Sequence, residues 1–324
     1  MTHSVPPALA ASPLIAAAAA PGHAEVPDRL RSVKRHVPRP VKRAARAGLR
    51  RYGVGTAHRR DLPDFLVIGV KRGGTTSLWN WLTRHPHVAP MYPSAQQIKS
   101  PHFFDIHYAR GLDWYRSHFP TRASVERTAA RTGVRPLTGE ASPYYVFHPL
   151  AAERVQAALP EVKLLLVLRN PVDRAYSNYW ERRGSHAEDL PTFEQAIDAE
   201  AGRLAGEAAR VVAEPGYYSP HHDHHSYLAR GRYAEHLAPW LRRFDREQLL
   251  ILPFERLTRD SVGTYREAQE FLGLPVVAPP ELEHHNKLPA PPMAAATRAR
   301  LVDYYRPWNA RLRRMLKRDL DWDR

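Results

Sequence analysis

The feature that most constrains the fold of this chain is an apolar run that passes directly into a glycine-rich turn. Residues 64–69 read DFLVIG, and an uninterrupted apolar, β-branched run of this length is typical of a strand buried in a parallel sheet. The turn VKRGGTTS follows, and residues 75–84 carry apolar side chains at helical spacing. A glycine turn between a buried strand and a helix start predicts an anion-binding loop, because backbone N–H groups and the helix dipole converge there.

Further runs of the same kind predict more strands of one sheet. Two long ones cover Lys163–Arg169 and Gln248–Pro253, and a shorter one covers Leu137–Glu140. Helical patterns occupy residues 149–159, 172–183, 193–212, 233–244, 261–272 and 294–316. Strands that alternate with helices predict an α/β fold, in which helices cover both faces of a central parallel sheet. Residues 221–225 and 278–292 are expected to be irregular loops.

The positive charge of the chain is concentrated at its N-terminus. Residues 1–60 hold twelve Lys and Arg against two acids, and subtraction from the totals of 48 and 33 leaves 36 bases and 31 acids in residues 61–324. We therefore expect a basic, Ala/Pro/Arg-rich, disordered arm over 1–60 and one folded domain over 61–324. Residues 42–53, KRAARAGLRRYG, are compatible with a short basic helix. The apolar run near residues 6–21 is too short to span a membrane.

The glycine turn differs from the loop that binds nucleoside triphosphates. That loop reads G-x-x-x-x-G-K-[ST], and this chain keeps both glycines and the last hydroxyl at Gly69, Gly74 and Thr76. Thr75 fills the lysine position, so a triphosphate would lack the ammonium that bridges its outer phosphates. Lys71 lies at the start of the loop instead, which fits a nucleotide with one short 5′ chain. The alternative is a turn whose glycines serve packing alone.

A second phosphate site is predicted where the next long strand ends. Arg169 stands at the carboxyl end of that strand, which is where open α/β sheets bind ligands. Ser177 follows eight residues later, in the next helix. A guanidinium and a hydroxyl from adjacent elements suit a separate phosphate. The alternative is an Arg that bonds a helix end and a Ser that faces solvent.

Two separate phosphate sites on one nucleotide describe 3′-phosphoadenosine 5′-phosphosulfate (PAPS). From about Asp64 onward the chain resembles the PAPS-dependent sulfotransferases, and most closely the heparan sulfate sulfotransferase type and its bacterial relatives. FLVIGVKRGGTTSLWNWLTRHPHV resembles the 5′-phosphosulfate loop of that family, and LLLVLRNPVDRAYSNYW resembles its 3′-phosphate motif. The blocks KSPHFFD, TGEASPYY and RGRYAEHLAPWLRRF also match. The resemblance implies a P-loop-like, three-layer α/β fold.

The resemblance carries roles onto matching positions. It implies that Lys71 contacts the leaving phosphate and the bridging oxygen, and that Arg169 and Ser177 hold the 3′-phosphate. The full set of implied donor contacts is Lys71, Arg72, Gly73, Gly74, Thr75, Thr76, Ser77, Arg169, Ser177, Tyr233 and Lys287. The family's late nucleotide loop carries a Lys and an Arg, whereas this chain supplies only the Lys.

The sequence departs from the family where the base should lie. The heparan enzymes place a catalytic Glu two residues before the His of KSPHFFD, and this chain has Ser100 there. We expect His102 to be the general base, because an imidazole titrates near working pH, with Asp105 orienting it or binding acceptor. Glu140 is the alternative base, or else a carboxylate paired with Lys99 or Arg169. Lys99 is also a candidate partner for the transferring sulfonate.

Metal and cysteine chemistry are not expected. The chain has no Cys, which excludes disulfides, thiolate zinc sites and Cys nucleophiles. The tract His221–His225 resembles a metal tract, but neighbouring His residues in a loop rarely share tetrahedral geometry, so it is assigned to an acceptor-side loop.

The sequence thus predicts an enzyme that moves sulfonate from PAPS to a hydroxyl or amine, on a carbohydrate or a bacterial metabolite, without a metal. The released product would be 3′-phosphoadenosine 5′-phosphate. The alternatives are a P-loop kinase, or a protein that binds nucleic acid or membrane through the basic arm. We expect a cytoplasmic location, with contact at an anionic membrane surface open to the arm and no specific nucleic acid partner.

Overall fold

A computed structural model describes residues 39–96, 98–279 and 290–323, and these contain a four-stranded parallel sheet. The strands are β1 (Phe65–Gly69), β2 (Gly139–Ala141), β3 (Lys163–Leu168) and β4 (Leu249–Pro253), in the spatial order β2-β1-β3-β4. The predicted α/β class with a central parallel sheet is confirmed. The shortest strand begins two residues later than its sequence pattern indicates.

The sheet is buried because its strands are apolar on both faces. Val67 lies opposite Ala141 on one side and Leu165 on the other, and Leu166 lies opposite Ile251. All five of these side chains are buried in one continuous core. Strands of this composition need helices on both sides, and the carboxyl ends of all four strands meet at one edge of the sheet.

Fourteen α-helices lie within the described residues. In chain order they are α1 (Arg39–Gly55), α2 (Thr75–Thr83), α3 (Gly111–Arg116), α4 (Arg122–Thr132), α5 (Ala151–Ala158), α6 (Pro171–Gly184), α7 (Phe193–Asp198), α8 (Glu200–Leu204), α9 (Glu207–Ala213), α10 (Pro220–His224), α11 (Tyr233–Leu241), α12 (Phe254–Arg259), α13 (Ser261–Leu272) and α14 (Ala295–Leu316). The prediction missed α3, which is only six residues long, and α4, whose sequence is largely polar.

Two predicted segments differ from the structure for identifiable reasons. The single helix expected over 193–212 is three helices, and Gly206 precedes the last of them with a φ of 75°, which ends helical geometry there. The loop expected over 221–225 contains α10. Pro220 occupies its first turn and the Ser219 hydroxyl accepts from the backbone N–H of His222 at 3.0 Å, which are two standard helix-start features.

The second half of the expected disordered arm is folded. Helix α1 covers the basic segment, and the Arg50 guanidinium donates to the backbone carbonyl and hydroxyl of Ser117 at 2.9 and 2.8 Å. Arg60 is buried and its guanidinium donates to the carbonyl of Phe119. The expectation of disorder is therefore wrong for residues 39–60, because two of the arginines counted as solvated charge satisfy backbone carbonyls of the domain.

Residues 1–38, which include the rest of the expected arm and its apolar run, lie outside the described residues. No helix in the described part of the chain is long and apolar enough to cross a membrane.

Candidate active site

The glycine turn folds into a closed loop at the carboxyl end of β1. The N–H of Val70 donates to the Val167 carbonyl and the N–H of Gly73 donates to the Val70 carbonyl, both at 2.9 Å. A Cβ on Gly73 would lie 2.8 Å from the Val167 carbonyl oxygen. Gly74 caps α2 with a φ of 90°, and a Cβ there would lie 2.8 Å from the Phe254 ring. Gly73 therefore requires glycine for space, and Gly74 requires it for space and for its left-handed backbone conformation.

Lys71 extends from this loop into a largely buried position. Its Nζ lies 3.4 Å from Oδ1 of Asp223, and its side chain is 17% exposed. It lines a pocket together with Arg174, Arg230, His236 and apolar side chains. Burial, with the charge of Arg230, lowers the pKa of Lys71 to about 8, while Asp223 opposes that shift.

Lys99 brings a second ammonium to the start of α2. Its Nζ donates to the Thr76 hydroxyl at 2.8 Å and lies 3.5 Å from that of Thr75. Burial lowers its pKa to about 8. The helix N-terminus, its hydroxyls and this cation converge on one point, which is the arrangement that a bound phosphate or sulfonate requires. Ser77, the next hydroxyl, is buried within α2.

The two predicted phosphate-binding elements adjoin. The Nε of Arg72 donates to the Ser177 hydroxyl at 3.0 Å, and NH1 of Arg169 donates to the Arg72 carbonyl at 3.1 Å. The Arg169 guanidinium also stacks on the Phe254 ring, 4.6 Å from its centre. The hydroxyl of Tyr233 is buried and donates to the Arg169 carbonyl at 2.8 Å, so it fixes the end of β3.

One predicted donor contact, Lys287, lies outside the described residues. Every other predicted site residue is described by the structure.

His102 and Asp105 form a hydrogen-bonded pair. Nδ1 of His102 lies 2.9 Å from Oδ2 of Asp105, whose side chain is fully buried. The other carboxylate oxygen of Asp105 accepts from the N–H of Ile106 at 2.6 Å. Burial alone would lower the pKa of His102, but the hydrogen bond and charge of Asp105, assisted by Glu140 and Asp223, raise it above 6.5. The pairing leaves Nε2 of the imidazole for a proton from another group.

Glu140 is fully buried and its carboxyl group is surrounded by hydroxyls. Tyr115 and Tyr145 donate to Oε1 at 3.1 and 2.6 Å, and Ser142 donates to Oε2 at 2.6 Å. The alternative interpretation, a carboxylate paired with Lys99 or Arg169, is wrong, because the hydrogen-bond partners of this carboxyl group are neutral hydroxyls. Burial raises the pKa of Glu140 to about 7, against the opposing effect of the Ser142 and Tyr145 hydrogen bonds.

Ser100 occupies the position where the family that this chain resembles has Glu, and its hydroxyl is engaged in a hydrogen bond. Its Oγ donates to the carbonyl of Ala141 at the end of β2. It therefore ties the segment that leads to His102 to the sheet.

Asp223 and Arg230 were missed by sequence reasoning. Arg230 is buried, and its NH2 donates to the Asp223 carbonyl at 2.8 Å and to Oδ1 at 2.9 Å. The Tyr218 hydroxyl donates to Oδ2 of Asp223 at 2.9 Å. Although burial opposes ionisation, Arg230 and Lys71 hold the pKa of Asp223 well below its usual range. The only signal was one acid inside a histidine tract.

The histidines of that tract have separate neighbours. Nδ1 of His222 lies 2.7 Å from the Tyr144 hydroxyl, and His221 lies 3.0 Å from His225 through their Nδ1 atoms. Among the residues that the structure describes, no three His, Asp or Glu side chains are arranged to hold a metal ion.

Comparison with known proteins agrees with this geometry. The family model described as "Sulfotransferase domain" matches residues 62–288. Heparan sulfate glucosamine 3-O-sulfotransferase 3B1 of Mus musculus is 32% identical over 288 residues, which cover 82% of this chain and 66% of that protein. Heparan sulfate glucosamine 3-O-sulfotransferase 6 of Homo sapiens is also 32% identical over 288 residues, covering 82% and 75%. The chain thus spans slightly less than two thirds of the first of these relatives.

A solved structure shares the fold. The crystal structure of a sulfotransferase from Alicyclobacillus acidocaldarius superposes with a TM-score of 0.59 at 30% sequence identity, covering 82% of this chain and all of that one.

Proposed function

The chain belongs to the sulfotransferase domain family, and on that premise we propose that it transfers a sulfonate group from PAPS to a hydroxyl or amine of an acceptor. One observation carries the proposal: the glycine loop and the Arg169–Ser177 element are joined through Arg72. Two anion-binding elements held at a fixed separation suit a donor with a 5′-phosphosulfate and a 3′-phosphate.

The donor roles follow the geometry of the loop. The backbone around Gly73 and Gly74 has no room for side chains, so N–H groups can approach the 5′ end of the nucleotide. Lys71 and Lys99 supply positive charge beside it. We assign the 3′-phosphate to Arg169 and Ser177. Arg72, Thr75, Thr76 and Ser77 complete the 5′ site, Tyr233 holds the Arg169 carbonyl at the 3′ element, and Lys287 remains a predicted contact.

The reaction is an in-line substitution at sulfur. The acceptor oxygen or nitrogen forms a new bond to sulfur while the bond from sulfur to the 5′-phosphate oxygen breaks, and 3′-phosphoadenosine 5′-phosphate leaves. Lys71 stabilises the charge that develops on the leaving oxygen. His102 takes the acceptor proton, with Asp105 fixing its ring, and Glu140 is the alternative base. No step of this scheme calls for a metal.

A phosphoryl-transferring kinase is less well supported. Thr75 occupies the position where a triphosphate-binding loop has lysine, and the ammonium nearest to its hydroxyl, that of Lys99, bonds Thr76 more closely.

We further propose that the acceptor is a carbohydrate. Two of the relatives above are named for heparan sulfate glucosamine. A hydroxyl is the expected acceptor group, since a neutral imidazole suffices to take its proton as the bond to sulfur forms.

Calorimetry with 3′-phosphoadenosine 5′-phosphate tests the donor assignment. We expect micromolar binding by the wild type that is lost in Arg169→Ala and weakened in Lys71→Ala. Wild type that binds ATP as tightly as this ligand would contradict the two-site argument. Turnover tests the base: His102→Ala should lower kcat about 10²–10⁴-fold while nucleotide binding is retained.

We propose a single catalytic domain over residues 61–324, to which the folded residues 39–60 are bonded through Arg50 and Arg60, in a cytoplasmic protein where PAPS would be available to it. The N-terminal residues would then contact an anionic membrane surface from the cytoplasmic side. Helix α1 supports this, because it contains no acid and exposes Val41, Leu49 and Tyr52. Cosedimentation with phosphatidylserine-containing vesicles at low salt, lost on deleting residues 1–60, is the expected result. No cosedimentation at low salt would end this part of the proposal.

A further inference from the structure

One carboxylate lies between the loop lysine and a buried arginine. Oδ1 of Asp223 is 3.4 Å from Nζ of Lys71 and 2.9 Å from NH2 of Arg230. Helix α10 supplies this carboxylate, 152 residues further along the chain than the loop. The Arg230 guanidinium is itself held between the rings of Tyr144 and Phe147, 4.7 and 4.6 Å from their centres.

The Asp223 carboxylate is therefore a fixed feature of the site. Arg230 bonds both its backbone carbonyl and its side chain, and Tyr218 bonds the other carboxylate oxygen. A carboxylate with two donors from rigid, mostly buried groups has little rotational freedom. By contrast, Lys71 has a flexible four-carbon side chain, and its Nζ lies 3.4 Å from both the backbone carbonyl and Oδ1 of Asp223.

We propose that Asp223, held by Arg230, is a positioning residue that keeps Lys71 charged and sets the resting place of its ammonium beside the 5′-phosphosulfate loop. The proposal rests on the proposed function for its purpose, because only a protonated Lys71 can neutralise the leaving oxygen. Asp223 makes no bond to the reacting atoms in this scheme. It acts through Lys71.

The charges around Lys71 decide the sign of the effect. Arg230 and Arg182 disfavour the ammonium, whereas Asp223 and Glu181 favour it. Of the two acids, Asp223 is the one whose carboxylate lies at contact distance from the ammonium. Burial and the two arginines lower the pKa of Lys71, and the nearby carboxylate opposes them. Removal of the Asp223 charge should therefore lower the pKa of Lys71 further.

Lys99 provides an internal comparison within the same chain. Its ammonium is also buried at the loop, and its pKa is also lowered to about 8, but by burial alone. Its bonds go to the hydroxyls of Thr75 and Thr76. A change at Asp223 should therefore alter Lys71 and leave Lys99 as it was.

The test measures the protonation of both lysines directly. Full-length protein is labelled with a trace of acetic anhydride between pH 6 and 10, and the reactivity of each lysine is read by peptide mass spectrometry. In Asp223→Asn, we expect the pH of half-maximal labelling to fall by about one unit at Lys71 and to stay constant at Lys99. Asp303→Asn, at an exposed aspartate, is the matched control and should change neither.

Activity gives the second readout. The alkaline limb of kcat/KM for PAPS should move to lower pH by the same amount in Asp223→Asn, and Asp223→Glu, which keeps the charge, should restore both measurements. An unchanged labelling pH at Lys71, or an equal shift at both lysines, would overturn the proposal. If Asp223→Asn does not fold, Asp223→Glu serves as the test on its own. The pH of half-maximal labelling at Lys71 should then equal that of the wild type, and a lower value would refute the proposal.

Labelling does not depend on catalysis. A wild type without PAPS-dependent turnover would contradict the proposed function, whereas the labelling result would still decide whether Asp223 controls Lys71.

Discussion

Replacement of Glu140 by Gln should remove a large pH dependence of stability. The carboxyl group of Glu140 is fully buried and its pKa is raised from 4.5 to about 7. The folded protein therefore binds this proton more tightly than the unfolded chain does. Stability is highest with respect to this group below pH 4.5, falls as the pH rises from there, and levels off above pH 7.

The size of the effect follows from the two pKa values. Each unit of difference corresponds to about 1.4 kcal/mol, so the full cost above pH 7 is about 3 kcal/mol. Between pH 5 and pH 8 the free energy of unfolding of the wild type should lose about 2.5 kcal/mol through this group. Gln at position 140 has a similar shape and does not titrate, so this part of the loss should vanish.

Urea denaturation at pH 5, 6, 7 and 8 is the assay, with wild type, Glu140→Gln and the surface control Asp303→Asn measured in parallel. His102 keeps Asp105 as its hydrogen-bond partner in all three proteins, so the difference between their slopes reports Glu140 together with its smaller effect on the His102 pKa. Equal slopes for wild type and Glu140→Gln would refute the reasoning and mean that the three hydroxyl donors keep Glu140 ionised. Tyr145→Phe, which removes one donor, should steepen the slope and offers a second test if Glu140→Gln does not fold.

Three other outcomes are expected. Gly74→Ala should lower the free energy of unfolding by about 2 kcal/mol in urea denaturation and weaken nucleotide binding. Gly133 also has a positive φ, of 75°, but nothing lies within 4 Å of the position of its Cβ, so Gly133→Ala should lower the free energy of unfolding by less. Equal losses in the two variants would exclude the Phe254 contact as a cause. Ser100→Ala should leave turnover close to that of wild type, since its hydroxyl donates to the Ala141 carbonyl; a loss as large as that of His102→Ala would make Ser100 part of the chemistry. The value of kcat/KM should rise above pH 6.5 as His102 loses its proton, and fall near pH 8 as Lys71 and Lys99 lose theirs. A profile that is flat from pH 6 to 9 would argue against His102 as the base and against a role for the charges of the two lysines.

The parts of the fold that were predictable are those encoded in consecutive residues. The runs at 65–69, 163–168 and 249–253 are apolar without interruption, and such runs have no stable place except the interior of a parallel sheet. The glycine loop was predictable because it combines a backbone requirement with a helix start. The two predicted phosphate-binding elements came from the same local reasoning, and the structure joins them through Arg72.

The parts that could not be predicted depend on contacts between distant segments. Asp223 contacts Lys71 although the two are 152 residues apart in sequence, and the residues around Asp223 do not predict which element its side chain will contact. Arg50 and Arg60 looked like solvated charge because the carbonyls that they bond lie in a different part of the chain. The environment of Glu140 was also hidden, since its tyrosine donors become neighbours only through folding.

One ring touches both phosphate-binding elements. Phe254 lies under Gly74 at the 5′ loop and under the Arg169 guanidinium at the 3′ element. Because it begins α12 directly after β4, it is anchored by the sheet, and in the proposed donor site it would act as a spacer of fixed thickness between the 5′ loop and the 3′ element. A smaller side chain at position 254 should therefore change the separation of the two proposed phosphate-binding elements.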